Sequence, residues 1–145
     1  MHLNKILILK NDRAGDLFTS LTLISSLNLN CKDITIYLSE LNIGFSFFFN
    51  KMKIKKINFN LNFFNKLEIF FNILLNKYSH VYILTPKNFY FFLPLIFRKT
   101  KFYSIVYDSH NRKRPINFLR KFLYKYKIVY RNKINKKSYR DLQSE

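Results

Sequence analysis

The residues best equipped for chemistry stand together near the start of the chain, in Asn11-Asp12-Arg13-Ala14-Gly15-Asp16, with Lys10 just before them. Asp16 supplies a carboxylate able to take a proton from an attacking hydroxyl. Arg13 supplies a planar guanidinium that fits a phosphate or carboxylate bidentately, and Lys10 adds a second cation. Gly15 lets a ligand approach the backbone closely. Each also has a plainer reading: Asp16 as the N-cap of a following helix, Lys10 as a solvated strand end, and Arg13 as the partner of Asp12 or Asp16.

The elements that must position these groups are legible on either side. The apolar run Ile6-Leu7-Ile8-Leu9 reads as a buried strand, and residues 17–27 read as a helix. A strand that enters a tight loop opening a helix is how α/β domains place ligands at the carboxyl edge of a parallel sheet, because backbone N–H groups and the helix N-terminus converge there.

The order Lys5-Ile6-Leu7-Ile8-Leu9-Lys10, then Arg13-Ala14-Gly15-Asp16, then Leu17-Phe18-Thr19-Ser20-Leu21 resembles the opening of glycosyltransferase family nine, the heptosyltransferases that build the inner core of bacterial lipopolysaccharide. The resemblance implies a Rossmann-like, mostly parallel sheet with flanking helices, the N-terminal half of a GT-B enzyme, here with a basic C-terminal helical segment. It implies inverting, metal-independent transfer from a nucleotide-diphospho sugar such as ADP-heptose to a lipid-linked or lipopolysaccharide-type acceptor, with no resident cofactor. Asp16 matches the family's general base. Lys10, Arg13 and Gly15 fall on the acceptor side, and Arg112 and Arg114, in a loop after the fifth expected strand, match its acceptor-facing cations. The plainer reading of Arg112 and Arg114 is a solvated charge run.

The resemblance also has a boundary. The family's His-x-x-Glu-Arg-like helix start corresponds to Asn135-Lys136-Lys137-Ser138-Tyr139-Arg140, which keeps the arginine but lacks the histidine and glutamate. The match spans nearly the whole chain but only the first half of such an enzyme. A separate C-terminal donor-binding domain is therefore the expected partner, and the chain reads as a truncated product, one subunit of a split enzyme, or a non-catalytic remnant.

No other catalytic pattern competes. The only glycines are Gly15 and Gly44, so neither a dinucleotide-binding glycine motif nor a phosphate loop is present. The single cysteine, Cys31, permits no internal disulfide and fits a reducing cytoplasm. His2, His80 and His110 lie too far apart for a usual metal-ligand spacing. No secretory signal opens the chain, because its first apolar run is short and passes into Asn11-Asp12-Arg13.

With 145 residues, 48% of them hydrophobic, one domain with a real core is expected: residues 1–110 as the acceptor-side unit and 111–145 as a basic helical segment and tail. The formal net charge of +18 would ordinarily point to nucleic acid or an anionic membrane. Abundant Lys, Asn, Ile, Phe and Tyr beside scarce Gly and Pro is also what an A+T-rich genome produces, so charge alone does not name a partner. The alternative function is a small basic non-enzymatic protein that binds nucleic acid or anionic lipid through residues 112–140, where Tyr124, Tyr126 and Tyr130 interleave with cations. Residues 89–97 form the longest apolar run, well short of the about 20 residues a spanning helix needs. They read as a buried helix or, with Arg98, Lys99 and Lys101 beside them, as a shallow peripheral contact. The expected location is the cytoplasm, with peripheral contact at the inner face of a bacterial inner membrane as the finer expectation.

Further strands are expected at 34–38, 54–59, 81–84 and 102–107, with 54–59 at or near an edge, and further helices at 40–50, 63–78 and 89–97. In the helix at 63–78, Phe63, Phe64, Leu67, Phe70, Phe71, Leu74, Leu75 and Tyr78 recur at helical spacing and are expected to face the sheet, with Asn65, Lys66, Glu68, Asn72 and Asn76 outward. Beyond Asp108 the sheet is expected to end.

Overall fold

Short runs rich in Ile, Val, Leu and Tyr lose little by extending and gain by being buried on both faces, which is what a parallel sheet asks of its strands. A computed structural model describes residues 5–30, 33–85, 87–107 and 128–131. Six such runs form one sheet: β1 (Lys5–Lys10), β2 (Asp33–Ser39), β3 (Lys53–Ile57), β4 (His80–Ile83), β5 (Lys101–Tyr107) and β6 (Ile128–Arg131). Their spatial order is β3-β2-β1-β4-β5-β6, and every neighbouring pair is parallel. The chain winds outward from β1 in one direction and from β4 in the other. This is the doubly wound, Rossmann-like α/β arrangement, with its topological switch point between β1 and β4.

Alternation along the strands divides the core in two. Ile6, Ile8, Ile34, Ile36 and Leu38 point to a layer with Leu17 and Ile24 of α1 (Ala14–Thr19) and α2 (Leu21–Asn30), and with Phe49 of a 3-10 helix at Ile43–Phe49. Leu7, Leu9, Tyr37, Val81 and Ile83 point the other way, against Ile69 and Ile73 of α3 (Phe63–Asn76), a 3-10 helix at Asn88–Phe92, and α4 (Leu93–Ile96). The edge position expected for the third strand is observed: β3 pairs only with β2 among the described residues.

Several expectations need correction. The helix expected at 17–27 is divided at Ser20, whose hydroxyl donates to the Asp16 carbonyl at 3.3 Å while its N–H reaches Leu17 O at 2.9 Å. This back-bonding competes with the helical ladder and tightens the turn. The segments expected as helices at 40–50 and 89–97 are largely 3-10, the second becoming α-helical only over Leu93–Ile96, where Pro94 fits a first turn. The sheet does not end at Asp108, because β6 continues it beside β5.

α3 turns a different face to the sheet than its spacing predicts. Ile69, Asn72 and Ile73 are its buried residues, whereas Phe63, Phe64, Leu67, Phe71, Leu74 and Leu75 are exposed. A buried polar cluster accounts for the rotation. The Asn72 amide donates to Tyr37 Oη at 2.9 Å, and the Tyr78 hydroxyl lies 3.3 Å from Asn72 Oδ1 and 3.1 Å from Thr35 Oγ1. Once Asn72 satisfies these hydroxyls it must turn inward, and Ile69 and Ile73 turn with it. The helix closes on Lys77, which adopts the left-handed conformation at φ 50° and returns its N–H to Ile73 O.

Candidate functional site at the switch point

The carboxyl ends of β1 and β4 lie side by side, so the chain after Lys10 and the chain after Ile83 form the two lips of the switch-point crevice. Leu84 and Thr85 both donate their N–H groups to Leu9 O, at 3.0 and 3.2 Å, which carries the pairing into the loops. Two further strand exits are tied to the same place. The Ser39 hydroxyl, at the end of β2, donates to Asp12 O at 2.6 Å, and the Asn42 amide, just beyond, donates to Lys10 O at 2.9 Å. After β3, the carbonyls of Asn58 and Phe59 accept from the Asn11 amide at 3.3 and 3.5 Å, while Asn11 Oδ1 accepts from the Tyr90 hydroxyl at 2.7 Å.

Within this frame Lys10 is not a solvated strand end. Its side chain is 0% exposed and its ammonium lies 2.8 Å from Asp12 Oδ2. The pair is taken out of water, and burial pushes both groups toward their neutral forms: Lys10 is lowered below 10.5 and Asp12 raised above 3.8, each against the attraction of its partner. Asn42 Nδ2, 3.5 Å from Asp12 Oδ1, adds a weak third contact. The sequence offered Asp12 only as a possible partner of Arg13 and did not single out Asn42, since their pairing with Lys10 depends on strand exits that only the sheet order brings together.

Asp16 sits differently. It is exposed in the first turn of α1, and its carboxylate makes no hydrogen bond or ion pair with a described residue. It is not the N-cap. That position belongs to Arg13, whose side chain does not cap, and the backbone carbonyl of Arg13 accepts the first helical bond from Leu17 at 3.1 Å. Its charge nevertheless reaches the buried pair, favouring the cation of Lys10 and the protonated form of Asp12. Arg13 is exposed and pairs with neither Asp12 nor Asp16. Around Gly15 a Cβ would meet nothing within 4 Å among the described residues, so no contact with them demands a glycine.

Across the crevice, Lys87 stands on the β4 side. Its ammonium donates to Phe59 O and lies 4.4 Å from the centre of the Phe59 ring, while Phe59 N donates to Glu40 Oε2 at 2.6 Å. Burial lowers the Lys87 pKa, with the charges of Asp12 and Glu40 opposing it. Thr85 Oγ1 is buried without a hydrogen-bond partner among the described residues, although the Thr85 side chain is close enough to Asp12 to favour its charged form. Sequence reasoning missed Lys87 and Thr85. Their signal was their place just after the fourth strand, which the switch-point rule assigns to the opposite lip.

Lys10, Arg13, Gly15 and Asp16 are thus gathered at one strand exit. Arg112 and Arg114 lie outside the described residues. Among the described residues, no group of three or more His, Cys, Asp or Glu could hold a metal ion. The fold and this crevice define a Rossmann-like α/β domain with a polar site at its switch point. No family model, curated protein or solved structure matches the chain.

Proposed function

We propose that the chain is the acceptor-side domain of an inverting glycosyltransferase related to the heptosyltransferases, in which Asp16 is the general base. The observation that carries this reading is the division of labour between two neighbouring carboxylates. Asp12 is committed to the buried Lys10 ammonium, whereas Asp16 faces solvent at the crevice mouth with no partner among the described residues. A base must be free to meet a hydroxyl, and inversion needs only one such carboxylate and no covalent intermediate. Arg13, exposed and unpaired among the described residues, stands ready to hold an acceptor phosphate or carboxylate.

In this reading Lys10 does not touch the acceptor. It anchors the loop from beneath, holding Asp12 so that the chain leaves β1 in one conformation. The nucleotide-diphospho sugar would be held chiefly by a second domain facing the crevice.

The test is a transfer assay in which the chain is combined with the donor domain of a heptosyltransferase, ADP-heptose and a lipid A-core acceptor. Transfer that falls at least about a hundredfold in Asp16→Ala, with the fold intact by circular dichroism, is the expected result. Undiminished transfer by Asp16→Ala, or none by the unaltered chain, contradicts the proposal.

A further inference from the structure

Away from the crevice, α3 turns Phe63, Phe64, Phe71, Leu74 and Leu75 to solvent, each between 50% and 76% exposed. Their spacing places them along one stripe of the helix, and a contiguous apolar surface of that kind marks an interaction site. At its C-terminal end the stripe runs into a groove of about 590 Å³ between α3 and residues 96–100. Ile73, Leu74, Ile96 and Phe97 supply its apolar walls, Lys77, Arg98 and Lys99 its cations, and no acidic residue lines it. None of these three cations forms an ion pair with a described residue.

We propose that this face seats on an anionic phospholipid bilayer, the α3 stripe entering the acyl boundary and Lys77, Arg98 and Lys99 meeting headgroup phosphates. An apolar stripe bordered by cations is the pattern of elements that lie in the membrane interface. Among the described residues no helix is long and apolar enough to cross a membrane, so the contact is a seat and not a span. A second copy is disfavoured as the occupant, because a formal charge of +18 on each copy repels the other. Nucleic acid is the less favoured occupant: Phe63, Phe64 and Phe71 offer rings to bases, but the equally exposed Leu74, Leu75 and Ile96 are aliphatic and gain only from an apolar medium. The groove lies before β4 and β5, at the amino edge of the sheet, whereas Asp16 follows β1 at the carboxyl edge. The inference therefore stands apart from the glycosyltransferase reading.

Co-sedimentation of the full chain with phosphatidylcholine vesicles, with and without phosphatidylglycerol, tests it. Binding is expected only to the phosphatidylglycerol vesicles. It should weaken about thirtyfold in Arg98→Gln/Lys99→Gln and about tenfold in Leu74→Gln/Leu75→Gln, both sets being at the surface and keeping the wild-type melting curve. Absence of binding overturns the proposal. So does binding that the leucine variant leaves unchanged and salt alone abolishes, which is adsorption of a polycation. Self-association, or binding to a single-stranded oligonucleotide, that is lost in the leucine variant while vesicle binding persists would reassign the face to that partner.

Discussion

At the exit of β1, Asp12 is 8% exposed and held by Lys10, while Asp16 stands in solvent beyond it. Removing either member of the buried pair strands the other charge, so Lys10→Met or Asp12→Asn should each cost about 3–5 kcal/mol of stability. The double variant Lys10→Met/Asp12→Leu should cost clearly less than the sum, as denaturant unfolding of the full cycle would reveal. The pH dependence has a definite sign. Asp12 has a raised folded pKa, so its contribution is fully present below pH 3.8 and is lost as pH rises through that folded value. Lys10 has a lowered one, so its contribution is present above pH 10.5 and is lost as pH falls through it. Wild-type stability measured relative to the double variant should therefore be lowest in the neutral window and increase toward both extremes. A difference that peaks near neutrality would show that attraction outweighs burial. The sequence marked Lys10 and Asp16 by their place beside a strand and a helix. It could not distinguish a lip from a floor, because the burial of Lys10 is set by residues 30 or more positions away, such as Asn42 and Leu84.

On α3, periodicity found the helix almost to its ends but took the exposed aromatic stripe for the core face and Asn72 for an outward residue, while Glu68 and Asn76 face solvent as expected. Apolar residues occupy nearly every face of Phe63–Asn76, so spacing alone selected the more aromatic stripe. The deciding interactions are polar and distant: Asn72 with Tyr37 and Tyr78. Ile69→Ala or Ile73→Ala should therefore cost about 2–5 kcal/mol, whereas Phe64→Ala or Leu75→Ala should change stability by no more than about 0.5 kcal/mol. Chemical denaturation of the four variants distinguishes the two orientations, and the reverse ranking would restore the orientation expected from spacing. The two 3-10 segments were harder to foresee for a related reason. Phe45 through Phe49 and Phe89 through Phe92 carry enough apolar residues for a helix, but each sits in a short crossover between adjacent strands, where connection length governs the turn.

For the molecule as a whole, the alternation of apolar runs and helical segments was sufficient to anticipate a parallel sheet with flanking helices, since parallel neighbours require crossovers. The strand order was not available from it. The position of β4 beside β1, which creates the crevice, is a pairing across more than 70 residues. β6 escaped notice because Ile128–Arg131 is a four-residue run among basic residues, and only its neighbour β5 marks it as a strand.

The proposed ligand site lies at the carboxyl edge, between the exits of β1 and β4. It is tested most directly by titrating the isotope-labelled chain with a phosphorylated lipid A-core oligosaccharide and following its backbone amides by NMR. The largest shifts are expected at residues 13–17, Thr85 and Lys87, and they should be lost in Arg13→Gln. Shifts confined to Lys77 and Arg98 at the opposite edge, or no shifts at all, would contradict it.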